Sequence, residues 1–309
     1  MDYACANCTW GSLPNPDFLS GTIETIAGVL CYVARPSDTV CCPYTANREP
    51  IGVVVILPDM FGWEIASTRA LADHYAQRIP AVVVVPDLFN GYSAPATLLD
   101  EMDRLQSRPA RTLAHKFAQV RLRFKTALYS VPLLLATRPS VYNAKLSRLL
   151  QTLRTLPLAA SGLSLALNRV GIAGFNHGGS TAVRLAHGSL WRYARAAGLL
   201  EPLVDCAFSV QPGGLQGWRR LRELERVQAP LSIAAGHDSR RPLGTLYEAE
   251  RLLNCVKDNC ELVVYMDAGP GLGIRAPPDD KSRVGDSVLA QHQAVLWFTR
   301  HLPAKSYEN

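Results

Sequence analysis

Residues 51–57 (I-G-V-V-V-I-L) and 81–85 (A-V-V-V-V) are apolar almost without a break. A strand wetted on one face alternates apolar with polar side chains. An unbroken run predicts a strand buried on both faces, as in a parallel sheet covered by helices. The stretch P-D-M-F-G-W at 58–63 reads as a loop, and a helix follows it as far as Arg78, with Ser67 as the candidate N-cap. Strand, loop, helix and strand in that order make a βαβ unit. Upstream, 21–34 alternates and turns as a hairpin does, and 35–50 is a polar, proline-bearing loop.

Helical periods come next. Leu113, Phe117, Val120, Phe124, Leu128 and Val131 recur at three and four, which predicts an amphipathic helix ending near Pro132. Leu146, Leu150 and Leu153 mark a second one. Both stripes are expected to face the core. Further strands are expected from Val170, at 205–210, at 230–235 and at 261–265, with helices at 243–256 and 288–302. This alternation predicts an α/β protein with a mostly parallel sheet and helices on both faces. In such sheets the ligand site lies at the carboxyl ends of the strands. The whole chain, 1–309, reads as one such domain with a helical segment at 100–158 set into it.

The stretch from Val170 to His187, V-G-I-A-G-F-N-H-G-G-S-T-A-V-R-L-A-H, passes from strand through glycines into a helix. A glycine two before and one two after a central residue is what a nucleophile elbow requires, because flanking side chains would collide with the strand and the helix. The central residue is Asn176. An amide has no free lone pair on nitrogen and a poorly nucleophilic oxygen, so the mounting for a nucleophile carries none. The same glycines could cradle a phosphate at the helix N-terminus, but the spacing is not G-x-G-x-x-G, and nucleotide binding is disfavoured.

Charge is unevenly placed. From Arg104 to Arg154 there are eleven Lys or Arg and no acid, leaving 21 bases against 26 acids elsewhere, so the formal +6 belongs to this one segment. A solvated basic face is the plainer expectation; an acidic partner at 104–154 is the alternative. No run approaches the ~18 apolar residues of a membrane span. The first ten residues have an acid where a secretory leader has bases, so a cytoplasmic protein is expected. Eight scattered cysteines are then reduced thiols. Cys5-x-x-Cys8 has metal spacing, and Cys41-Cys42 could add ligands, but no second pair follows. Neither a metal nor any other cofactor is expected.

The motifs taken together resemble the dienelactone hydrolase family, especially its eukaryotic branch. They are G-T-I-E-T-I-A-G-V-L-C-Y-V-A, L-P-D-M-F-G-W followed by T-R-A-L-A-D, V-V-V-P-D-L-F-N-G, G-F-N-H-G-G, G-H-D-S-R-R-P and Y-M-D-A-G-P-G-L-G-I-R. The resemblance implies an α/β-hydrolase fold and hydrolysis of small cyclic or activated esters by a Cys-Asp-His triad. Carried over position by position, the cysteine falls on Asn176, the aspartate on Asp238, and the histidine on Pro270, or on Gly271 if the spacing slips by one. Arg275 matches the arginine that helps hold a substrate carboxylate, and Asp59 matches the acid of the first strand's loop. The backbone N–H groups of Met60 and His177 would form the oxyanion hole. Two of three triad members are thus replaced. Loss of either nucleophile or base removes several orders of magnitude of rate. The implied function is an ester or lactone hydrolase scaffold with impaired catalysis, binding a small ester, lactone or anionic ligand. The alternatives are an active hydrolase using His177 as a base, helped by Asp59, and a binding protein using its basic face.

Overall fold

The computed structural model describes residues 14–15, 17–36, 50–95, 97–98, 101, 113–136, 138–155, 168–187, 192–194, 200–213, 224–237, 243–256, 259–269 and 271–303. The strands are β1 (Thr22–Ile26), β2 (Val29–Ala34), β3 (Val53–Leu57), β4 (Val82–Pro86), β5 (Val170–Phe175), β6 (Arg192–Ala194), β7 (Leu200–Pro202), β8 (Cys206–Val210), β9 (Leu231–Gly236) and β10 (Cys260–Tyr265). The helices are α1 (Ala66–Arg78), α2 (Leu113–Ala136), α3 (Pro139–Thr155), α4 (His177–Ala186), α5 (Leu243–Val256) and α6 (Lys281–His301).

Eight strands form one sheet in the order β1-β2-β4-β3-β5-β8-β9-β10. The six from β4 to β10 are parallel, and β1 and β2 join antiparallel at one edge. The hairpin expected at 21–34 is present, and its turn residues Ala27 and Gly28 both have positive φ (53° and 78°), the primed geometry that matches strand twist. Strand order reverses between β3 and β5, so the crevice at the carboxyl ends opens there.

The unbroken apolar strands are buried on both faces, with all five residues of β3 at 0% exposure. Alternate residues serve alternate layers. Val54, Ile56, Ala173 and Phe208 pack with α1 and α6 through Leu71, Tyr75, Ala294 and Phe298. Val53, Val55, Ile172 and Ile233 pack with α3, α4 and α5 through Leu149, Leu150, Leu185 and Leu253. A small satellite cluster of Phe61, Ala94 and Leu98 sits over the loops, with Met60, Ile65 and Leu122 against it.

Four local expectations are corrected. Ser67 does not cap α1: the N-cap is Ile65, and the Ser67 hydroxyl, one residue inside the helix, is buried with no partner among the described residues. Helix α2 does not stop at Pro132 but continues to Ala136, since a proline late in a helix forfeits one hydrogen bond without forbidding the remaining turn. Helix α6 begins seven residues before 288, because Asp280 caps it by accepting from the Arg283 N–H at 3.2 Å. The fourth concerns the α2 stripe. Leu146, Leu150 and Leu153 of α3 are core, as expected, but Leu113, Phe117, Val120, Phe124, Leu128 and Val131 are all exposed. The helix touches the body through its opposite side instead. The basic segment is not uniformly solvated either. Arg154 is buried, pairing with Asp205 at 3.0 Å, and Lys145 donates to the Asn90 side chain at 2.6 Å.

Candidate functional site

Asn176 sits between β5 and α4 with φ 49° and ψ −102°. That is not the left-handed helical well that asparagine visits readily. It is a strained conformation costing about 1–3 kcal/mol, which the surroundings must enforce. They do so by close approach. A Cβ on Gly174 would strike the Gly178 carbonyl, and a Cβ on Gly178 would strike that of Leu57. Asn176 N–H donates to Val210 O at 2.9 Å, and Asn176 O accepts from Ser180 N at 3.1 Å and Gly213 N at 3.3 Å. The backbone is held on three sides. The half-buried side chain makes no hydrogen bond among the described residues.

Sheet register supplies the next part. Leu57 of β3 is paired with Gly174 of β5. Met60 and His177 each lie three residues beyond that pair, so their backbones leave adjacent strand ends in step. Neither N–H has a hydrogen-bond partner among the described residues, whereas the Met60 carbonyl is held by Ala94 N at 2.9 Å. His177 also opens α4, where free N–H groups and the helix dipole favour negative charge.

Asp59, directly before Met60, is paired with Arg275. Asp59, 2% exposed, accepts from Phe61 N–H at 3.0 Å and from Arg275 Nη2 at 2.6 Å. The guanidinium lies over the Phe61 ring, 4.8 Å from its centroid. Gly271 and Gly273, with φ of 89° and 75°, let the chain turn tightly enough to aim Arg275 inward, and Gln291 pins the turn by donating to Gly273 O at 3.2 Å. Arg275 Nη1 is buried without a partner. One arm of the fork is engaged, and the other has no acceptor among the described residues.

His177 is exposed and stands edge-on to Tyr142, ring centroids 5.9 Å apart. Crowding by protein atoms, and then the nearby Arg184 charge, pull its pKa below the usual histidine value. Both Asp59 oxygens are occupied elsewhere, and no hydrogen bond joins His177 to that carboxylate. Ser180 Oγ is turned to Gly213 O at 2.8 Å. Cys206 is fully buried in β8, and burial pushes its thiol up. Asp238 and Pro270 lie outside the described residues; the strands before their loops, β9 and β10, end side by side at Gly236 and Tyr265.

Gln211 was not singled out from sequence. It follows β8 with φ 46°, is 3% exposed, and donates to Gly269 O at 3.1 Å, tying the loop after β10 to the strand beside the elbow. Only its place directly after an apolar strand end hinted at this. Among the described residues no group of three or more His, Cys, Asp or Glu is placed to hold a metal ion. A cavity of about 850 Å³ lies along α6 and β10, but its wall includes Ile51 and Pro80, at the amino ends of β3 and β4, so it is remote from the elbow.

No family model and no curated protein matches this chain. Solved structures do. A provisionally assigned dienelactone hydrolase from Klebsiella pneumoniae subsp. pneumoniae MGH 78578 superposes with a TM-score of 0.58 at 16% identity, over 92% of this chain and 100% of that one. The dienelactone hydrolase from Anabaena variabilis ATCC 29413 gives 0.51 at 14%, over 92% and 98%. The protein TT1662 from Thermus thermophilus gives 0.52 at 13%, over 93% and 100%.

The chain has the α/β-hydrolase fold. At these identities the likeness is one of fold, and the chemistry has to be argued from the site. No helix among the described residues is long and apolar enough to cross a membrane.

Proposed function

We propose that this chain is a dienelactone-hydrolase-like α/β-hydrolase, one domain over 1–309, with the catalytic step lost and the ligand-binding frame kept. The observation that carries the reading is the strained backbone of Asn176, which presents an amide where such a turn presents a nucleophile. An amide cannot form the acyl intermediate of covalent ester hydrolysis. Pro270, at the position of the triad histidine in the resembling family, cannot take a proton, so Asp238 has no base to orient. The frame consists of the N–H groups of Met60 and His177 and the Nη1 arm of Arg275, none of which has a partner among the described residues. Those groups suit a small molecule with a polarised carbonyl and a carboxylate.

The test is hydrolysis of p-nitrophenyl acetate and of a dienelactone. The native protein is compared with Asn176→Cys and with Asn176→Cys combined with Pro270→His. The expected result is no turnover by the native chain and a gain in the double variant. Turnover by the native chain overturns the reading.

A second reading has one observation in its favour. The depressed pKa of His177 keeps its imidazole neutral near pH 7, in the form that accepts a proton from water. No carboxylate orients that ring among the described residues, so the first reading is preferred.

A further inference from the structure

Helix α2 turns its more apolar face to solvent. The half-buried positions, on the side toward the protein, are Ala118, Gln119, Leu122, Lys125 and Thr126. The outward positions are Leu113, Phe117, Val120, Phe124, Leu128 and Val131, between 56% and 79% exposed. Spacings of three and four keep these six on one side of the helix, in a stripe about 27 Å long. A contiguous exposed apolar stripe of this size marks an interaction surface rather than ordinary surface scatter.

Two features say what covers it. The first is shape. Lys116 and Arg121, on either edge of the stripe, are exposed as well, so no described residue builds a wall beside it. Among the described residues the stripe is a ridge, not a groove. The second is charge. At 3.6 residues per turn, Lys116 and Arg121 sit on opposite edges, each about 70° from the stripe's centre. Glu101 accepts from Arg121 at 2.7 Å and from Lys125 at 2.8 Å, and these two cations share that one carboxylate. The flank therefore keeps positive charge, within a segment that has eleven bases and no acid from 104 to 154.

We propose that α2 is a docking helix for an anionic lipid surface. It lies in the headgroup plane with Phe117, Val120 and Phe124 at the acyl boundary, while Lys116 and Arg121 extend to lipid phosphates and carboxylates. A flat, deformable, negatively charged surface fits a ridge with basic edges. A second copy of the chain does not, since pairing two stripes in parallel brings Lys116 of one against Arg121 of the other. A helical protein partner would have to supply the whole groove itself.

The experiment is co-sedimentation of the full chain with vesicles of phosphatidylcholine alone and of equal phosphatidylcholine and phosphatidylserine, at low and raised salt. Binding is expected to the mixed vesicles only, and to weaken as salt rises. Phe117→Glu with Phe124→Glu is expected to lower partitioning on the order of a hundredfold, and Lys116→Glu several-fold. Because the stripe is exposed, the double variant should melt where the native chain does. Absence of binding to the mixed vesicles at low salt overturns the proposal, as does equal binding by the double variant. A marked drop in melting temperature would mean that part of this chain covers the stripe. A native dimer that the double variant abolishes would assign the stripe to a second copy. Either result also overturns the proposal.

Discussion

Arg275 donates to Asp59 from Nη2 at 2.6 Å and leaves Nη1 buried with no acceptor among the described residues. Neither side chain explains the other completely. The carboxylate offsets the buried cation and fixes the guanidinium plane, yet it satisfies one arm of a fork whose geometry suits two parallel bonds to an anion. Arg275→Leu is expected to weaken binding of acetate or a similar carboxylate about tenfold to a hundredfold, the range for a charged hydrogen bond. Titration calorimetry on the native and variant chains measures this, and equal affinities would show that the ligand does not reach the fork.

The elbow carries a second prediction, about stability. Asn176 holds a positive φ that a side chain resists, and its amide makes no compensating hydrogen bond among the described residues. Asn176→Gly removes the strain and is expected to raise stability by about 1 kcal/mol. Gly174→Ala does the reverse, because its methyl would meet Gly178 O and, at 2.8 Å, Ala182 Cβ. Denaturant melts of the two variants should move in opposite directions. If both fall, the turn is not under strain.

Much of this was legible in the chain itself, and the reasons are physical. Glycines at 174 and 178 mark where backbone must approach closely, and the unbroken apolar runs of β3 and β4 admit few environments, so the elbow and the doubly covered sheet could be read directly. The α2 stripe could not be placed. Periodicity says that six residues share a side of a helix, and it does not say whether protein or solvent lies there. Arg275 and Asp59 are 216 residues apart, and only the shared end of the sheet joins them. Gln211 escaped notice for the same reason: its partner, Gly269, lies on a loop two strands away in the sheet.

Asp205 supplies a third prediction. Its oxygens accept from Arg154 at 3.0 Å, Arg169 at 2.8 Å and Val170 N–H at 2.7 Å, tying α3 to the amino end of the elbow strand. Arg154 and Asp205 side chains are 5% and 9% exposed. Removing one partner of such a pair leaves the other buried and uncompensated, typically at a cost of about 3–5 kcal/mol. Asp205→Ala should lose that much in urea unfolding. Arg154→Met, which removes the buried cation and keeps apolar volume, should lose less. Equal losses would mean that packing rather than charge dominates.

The last prediction concerns acid. Burial, then the Arg78 charge, lowers His74 from 6.5 to about 4, and crowding by protein atoms, then the Arg184 charge, lowers His177 in the same direction. For both, the folded state disfavours the proton that the unfolded chain accepts. The His74 contribution to stability is therefore complete above pH 6.5 and declines as pH falls from there toward 4, because the unfolded chain binds more protons across that window, and His177 acts in the same direction. Melting temperature measured from pH 8 to pH 4 should be flat at first and then fall. His74→Gln cannot titrate, so it should flatten the upper part of the fall, where carboxylates have yet to protonate. His177→Gln, exposed at the mouth of the elbow, should change it less. A His74→Gln profile parallel to the native one would mean that the imidazole takes up its proton as readily in the fold as in the unfolded chain, and that burial does not hold it neutral.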